Sequence, residues 1–302
     1  MLPVEGVRGR CLRSSPGASV PSLRRPAHCP VVDGHNVWSA ETGPGIISRH
    51  GDGSAGDANY GVIGGGYTRY RQPDPQIAAF IRNALGDAQT VLNVGAGAGS
   101  YEPVDRGVTA VEPSASMRAQ RPAHLSKAID AVAERLPFDD DSFASSMATF
   151  TVHQWPDLRV GLAEMRRVTR GPMVILSCDP DELDRFWLAS YAPEVIAVEA
   201  RRYPRIETIV RELGGAQVIP VPIPLHCTDG FGEAYYGRPE RLLDPGARLA
   251  NSAWSFVDSS VSDRFVATLR RDLQDGTWDA KHGDLREQPF FEGSLKLIVG
   301  RA

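Results

Sequence analysis

Three glycines at alternate positions, Gly95, Gly97 and Gly99, interrupt an apolar run in "VLNVGAGAGSYE", residues 91 to 102. Glycine lets a backbone approach a ligand where a Cβ would clash, so this turn is built to lie close against something. Glu112 closes the next apolar run, "VTAVEP", where a carboxylate can accept two hydrogen bonds from a ribose diol. A dinucleotide fingerprint reads GxGxxG with an acidic residue about 20 positions on. Here the spacing is GxGxG and Ser100 stands where the last glycine would be. That opposes a pyrophosphate cradle, although Glu112 alone does not separate NAD from another nucleoside. His153, in "TFTVHQW", is a candidate general base, since an ordinary imidazole titrates near pH 6.5. Trp155 beside it reads as a pocket wall. Further on, "HCTDGF" and "AYYGRPE" gather His226, Asp229, Phe231, Tyr235 and Tyr236, the mixture of aromatics and a few polar groups that small-molecule pockets use. His226 with Cys227 is too sparse for a metal site. Upstream, Tyr60, Tyr67 and Arg71 could close over a ligand, with Gly64 to Gly66 as the flexible part of a lid.

These residues need a scaffold. "DPQIAAFIRNALG" places Ile77, Phe80, Ile81 and Leu85 on one helical face and ends at Gly86. "TVLNVG" and "VTAVEP" predict the first two strands, "SKAIDAVAE" a weak third and "SFASSMATFTV" a fourth. "SASMRAQR" can start a helix with Ser114 as its N-cap. "DLRVGLAEMRRVTR" has the helical period, and "GPMVILSC" is the wholly apolar strand expected when both sheet faces are covered. Strands alternating with helices predict a parallel α/β sheet. "DELDRFWLASY", "IETIVRELGG" and "SSVSDRFVATLRRDLQDGTW" read as later helices. "AQVIPVPIPLHC" reads as an edge or irregular strand because of its prolines, and "GSLKLIVGR" as the last strand. The long connection before that strand has the size of a cap over a ligand site.

The chain has 302 residues, 42% hydrophobic and 23% charged, with a net charge of −4. These are the proportions of an ordinary globular protein, without the global basic field that attracts nucleic acid. No apolar stretch reaches the roughly 20 residues a membrane span requires. Cys11, Cys29, Cys178 and Cys227 form no CxxC pair, which fits a reducing cytoplasm better than a disulfide framework or metal knot. Residues 1–56 are rich in Pro, Gly, Ser and Arg and have no structural period, so they are expected to be a flexible N-terminal extension. Val31 to Trp38 could anchor such an arm on the core or on a second subunit.

Taken in order, "VLNVGAGAGSYE", "VTAVEPSASMRAQR", "AERLPFDDDSFASSMATFTVHQW" and "LAEMRRVTRGPMVILS" resemble the successive motifs of class I S-adenosylmethionine-dependent methyltransferases, closest to the small-molecule group. "LHCTDGFGEAYYGRPERLLDP" is similar to a bacterial subgroup of these enzymes. The resemblance implies a Rossmann-like seven-stranded sheet, mostly parallel, with an antiparallel last strand, helices on both faces and a helical cap. It implies a methyltransferase domain over 57–302, with a cofactor-binding core at 57–180 and a substrate-cap insertion at 228–293. Gly95, Gly97 and Gly99 would pass under the methionyl part of S-adenosylmethionine, and Glu112 would hold the ribose. Pro113 and Met117 would lie near the nucleoside, and Ala133 and Glu134 at the adenine. Thr149, Phe150 and Thr151 would flank the sulfonium, and Arg71 would pair with the methionyl carboxylate. Two positions depart from the family pattern. Asn93 stands where Asp is usual, and Val132 where an Asp often bonds the adenine amine, which leaves adenine to backbone, packing or Glu134.

The expected activity is in-line transfer of a sulfonium methyl to a small hydrophobic or aromatic molecule, giving S-adenosylhomocysteine, with no metal, nucleic acid or membrane partner. The alternatives are a methyltransferase of RNA or protein, an NAD-dependent oxidoreductase, or a non-catalytic protein that binds S-adenosylmethionine.

Overall fold

A computed structural model describes residues 49–59, 61 and 66–302, within a compact unit running from Ile47 to Ala302. Most of the expected N-terminal arm, together with Tyr60, Gly64 and Gly65, lies outside the described residues. The expected boundary at residue 56 moves toward the N-terminus. The stretch 49–59 is bound to the domain through Asp52, which accepts hydrogen bonds from the hydroxyls of Ser114 and Ser116 at 2.8 and 2.9 Å. Burial pushes the Asp52 carboxyl up, but hydrogen bonds from Ser114 and Ser54 outweigh it and bring it to about 2. Asp57 is gripped by Arg202 through contacts of 2.6 and 2.8 Å.

The sheet is built from β1 (Thr90–Val94), β2 (Gly107–Val111), β3 (Ser145–Thr149), β4 (Pro172–Cys178), β5 (Ala216–Pro220) and β8 (Leu295–Arg301). Their order is β2-β1-β3-β4-β8-β5, six strands where seven were expected. β2, β1, β3 and β4 run parallel, and β8 is antiparallel to both β4 and β5. The missing strand is "SKAIDAVAE". It reaches the sheet at Ile129 alone, which pairs in parallel with Val111. Ile129 is itself exposed and its neighbours are mostly polar or small, so little apolar area holds a longer strand against β2. "AQVIPVPIPLHC" divides into edge strand β5 and β6 (Ile223–Pro224), which pairs outside the main sheet with β7 (Phe290–Phe291). Pro222 lies between the two parts, and proline cannot donate to a ladder.

Alternating side chains send the strands' apolar groups into two cores. Val91, Met147, Val174 and Leu176 face one, and Leu92, Ala148, Met173 and Ile175 face the other. Short helix α1 (Tyr67–Tyr70) precedes α2 (Pro75–Leu85), which covers the first face with Ile77, Ile81 and Leu85. Asp74 caps α2 by accepting from the amides of Gln76 and Ile77. Ser114 caps the short helix α3 (Ala115–Ala119). Helix α4 (Leu158–Arg167) covers the second face with Leu162 and Met165. "DELDRFWLASY" yields one 3-10 turn and the short helix α5 (Leu188–Tyr191), followed by α6 (Pro193–Arg202) and α7 (Ile206–Glu212). Within 228–293 lie α8 (Pro245–Leu249), α9 (Ser259–Gln274) and α10 (Thr277–His282). Phe231, Leu242, Phe265 and Trp278 from this insertion belong to the same core as α2. The insertion is therefore continuous with the domain rather than a separate lobe.

Candidate functional site

The order β2-β1-β3 makes the chain leave β1 toward opposite sides, the place where open α/β sheets form a crevice at the carboxyl ends of their strands. An open cavity lies there. Its floor is the turn after β1. Gly95 has φ +68°, and a Cβ on it would run into the Thr151 hydroxyl. Gly97 has φ +52° and donates its N–H to Glu112 Oε2 at 2.7 Å. Glu112 Oε1 accepts the Ser114 N–H at 2.8 Å. The carboxylate is 7% exposed and still has unused lone pairs on both oxygens. Burial raises its pKa, against the pull of the two amides.

Pro113, Met117, Ala133 and Glu134 line the same cavity, with Thr149 and Thr151 at the end of β3. Glu134 Oε1 accepts the Asp157 N–H at 3.0 Å, whereas Oε2 is buried without a partner. Burial pushes its pKa up as well. Gly99 has φ +94° and packs near Leu125 and Arg121; it is absent from this lining. Trp155, expected as a wall for the substrate, lines this first cavity. Its ring packs so closely on Gly161 that a Cβ there would meet it. Ser54 and Ala55 complete the wall from the N-terminal stretch. The sequence reading missed them because the glycines and prolines around them have no period.

A second cavity adjoins the first, and Tyr67 and Phe150 belong to both linings. Phe150 has φ +51°, a conformation that costs a non-glycine residue about 1–3 kcal/mol. Its N–H is fixed by the Leu176 carbonyl at 2.9 Å. Phe231 stacks against it at 5.1 Å between centroids and also lines the second cavity. The expected ligation of a methionyl carboxylate by Arg71 meets an obstacle. Arg71 lines the second cavity, not the first, and its guanidinium pairs with Asp229 at 2.5 Å. The partners are 10% and 2% exposed. Asp229 also accepts the Tyr101 hydroxyl at 2.9 Å, so its expected place in a substrate pocket becomes that of a buried anchor.

His153 lines the second cavity and lies 4.3 Å from the Tyr203 ring. The Gln154 amide, oriented to satisfy its neighbours, accepts from His153 Nε2 at 2.8 Å and from Arg202 at 2.6 Å, and donates to Asp57 at 3.1 Å. That fixes the proton on Nε2 and leaves Nδ1 as a bare acceptor, buried and unpartnered. Burial, with Arg202 and Arg71 adding to it, holds the imidazole pKa well below its ordinary value. The ring is neutral and weakly basic, not the base poised near neutrality that the sequence suggested.

Three other expected pocket residues are elsewhere. His226 is exposed and lines neither cavity. Tyr235 is buried and packs against Gly230. Tyr236 is fully buried, donates to the Gln288 carbonyl at 2.6 Å and stacks on Phe291. In their place α6 contributes Val195, Ile196 and Glu199, with Tyr203 just beyond its end. The signal was present: Glu199 lies one helical turn from Val195, an acid on an apolar stripe.

A family model described as a methyltransferase domain matches residues 92–172. A solved structure of a candidate methyltransferase from an antibiotic biosynthesis pathway of Anabaena variabilis is 27% identical. The match covers 76% of this chain and 98% of that one, with a TM-score of 0.72. Residues 92–172 thus form a methyltransferase domain, and the chain shares the fold of that solved structure. A geranyl diphosphate C-methyltransferase from Streptomyces coelicolor, solved with Mg²⁺, geranyl diphosphate and S-adenosylhomocysteine, is 15% identical. It matches over 74% of this chain and 79% of its own length, with a TM-score of 0.42. No curated protein matches this chain. Among the described residues, no helix is long and apolar enough to cross a membrane.

Proposed function

We propose that the first cavity holds the methyl donor, that the second holds a small hydrophobic or aromatic acceptor, and that the two meet between Tyr67 and Phe150. The observation that carries this reading is the pair of adjoining cavities whose linings share those two rings. Bound S-adenosylmethionine supplies a methyl group already activated by its sulfonium. The residues present suit it. Gly95 leaves room for a chain where a Cβ would fill the space. Glu112 can accept from a ribose diol on the lone pairs its amide partners leave free, and Glu134 Oε2 is an acceptor available to an adenine amine at the place where Val132 offers none.

The protein's main task in an in-line displacement is to hold the nucleophile about 3–3.5 Å from the methyl carbon. The fixed Phe150 backbone and the buried Arg71–Asp229 pair serve that task by setting the boundary between the cavities. Neutral His153 offers Nδ1 to a protic group of the acceptor, as an orienting contact. The buried free thiols of Cys178 and Cys227 support a cytoplasmic setting.

The test is a substitution confined to each cavity. Ala250 lines only the second. In Ala250→Phe, S-adenosylhomocysteine affinity by calorimetry stays unchanged, while turnover in a screen of small aromatic acceptors is lost. Equal turnover would remove the acceptor site from this cavity. Tight NADH binding with no response to S-adenosylhomocysteine would overturn the assignment of the first.

A further inference from the structure

The charges around the second cavity do not cancel. Arg71 is matched by Asp229. Arg202 is matched by Asp57 through two contacts. Lys296, beyond the wall, is matched by Glu182 at 2.5 Å. His153 is neutral. Glu233, which lines the cavity, accepts both the N–H and the hydroxyl of Ser294, the latter at 2.6 Å. Glu199 is different. It lines the cavity from α6, and its carboxylate has no hydrogen-bond or ion-pair partner among the described residues. Around it stand the rings of Phe186, Tyr203, Phe231 and Trp254.

Glu199 is half-buried, and a carboxylate that a bound ligand shuts off from water is costly unless something of opposite charge or a donor reaches it. The nearest arginines are already paired, so the missing partner is a ligand with donor protons. Aromatic walls attract cations by their faces, and a cation of small size with an apolar body satisfies both the acid and the rings. Burial raises the pKa of Glu199, while Arg202 and Arg71 oppose that rise. This suits a group that first pairs with an ammonium and then accepts a proton from it.

We propose that the methyl acceptor is an amine with an apolar, arylalkyl body, and that Glu199 binds its ammonium group and takes its proton. The step balances. One N–H proton passes to the Glu199 carboxylate and frees the nitrogen lone pair. That pair forms the new N–C bond as the methyl carbon's bond to sulfur breaks, the electrons staying on sulfur. The product nitrogen carries the positive charge that the sulfur has lost. This rests on the second cavity being the acceptor site.

The experiment is calorimetry on the full chain saturated with S-adenosylhomocysteine, titrated with 2-phenylethylamine and tryptamine and with their matched alcohols, 2-phenylethanol and tryptophol. The amines are expected to bind at least about tenfold more tightly than the alcohols, about 1.4 kcal/mol. Glu199→Gln should erase that preference without changing S-adenosylhomocysteine affinity, and Glu199→Asp should restore part of it. Alcohols binding as tightly as amines, no binding of either series, or an unchanged preference in Glu199→Gln would each overturn the proposal. Failure of S-adenosylhomocysteine to bind in the first place is scored separately, since it strikes the assignment of the first cavity on which this one depends.

Discussion

Glu112 shows how a single side chain can organise a site before any ligand arrives. Its carboxylate fixes the Gly97 amide from one oxygen and the Ser114 amide from the other. Replacing it removes a charged acceptor and leaves two amides unsatisfied, and hydrogen bonds to charged groups contribute about 1.5–3 kcal/mol. Glu112→Ala should therefore weaken S-adenosylhomocysteine binding by roughly ten- to a hundredfold, read by calorimetry; unchanged affinity would mean that the ribose is held elsewhere. Glu233 gives a pH prediction. Burial raises its pKa from 4.5 to about 7 in the folded protein. Between those values the folded state holds a proton that the unfolded chain has released, so this group makes stability fall as pH rises. Glu233→Gln should gain on the wild type in urea unfolding between about pH 5 and about pH 8. An equal difference at both would place the titration elsewhere. That Gly95, Gly97 and Glu112 share one cavity was legible because strand, turn and acid are local in sequence; Gly99 faces Leu125 and Arg121 instead. Glu199 was not, because its meaning depends on which distant arginines are already paired.

At the scale of elements, the stretch 49–59 behaves as part of the cavity wall, not as a tail. Asp52 ties it to α3 through Ser114 and Ser116, and the Ala115 N–H donates to the Asp52 carbonyl at 2.7 Å. Asp52→Ala should raise amide hydrogen exchange in residues 49–56 and at the start of α3, and lower S-adenosylhomocysteine affinity. Unaltered exchange would show that the backbone contacts suffice. Helices α2 and α4 and the strands of the parallel half could be read from period alone, since each buries one continuous apolar face. Helix α6 escaped that reading. Its apolar stripe is short and contains an acid, and "DELDRFWLASY" before it promised a longer helix than the chain forms. The cap aromatics misled for a related reason. Tyr235 and Tyr236 have the composition of a pocket, but composition does not distinguish a ring that lines a cavity from one that fills a core.

On the scale of the whole molecule, a buried knot ties the insertion to the segment around α1 and α2 and to the turn after β1. Asp229 pairs with Arg71 and accepts from Tyr101, the neighbouring Thr228 N–H donates to Asp74 at 3.1 Å, and the Gly230 N–H donates to the Tyr70 carbonyl at 2.8 Å. Removing one member of a buried ion pair strands the other, typically at about 3–5 kcal/mol. Asp229→Ala should lose stability on that scale in denaturant unfolding while keeping one transition, because insertion and sheet share a core. A loss under about 1 kcal/mol would mean that Arg71 finds other partners. The six-stranded sheet has a further consequence at its borders. An exposed full-length strand offers a row of unpaired amides and carbonyls on which another chain can add itself, the first step toward aggregation. At one border the stretch around Ile129 contributes a single bridge, and at the other β5 ends in Pro220. The seventh strand that never forms leaves β2 as an edge bridged outward at Val111 alone, a border that a strand of a second copy can extend.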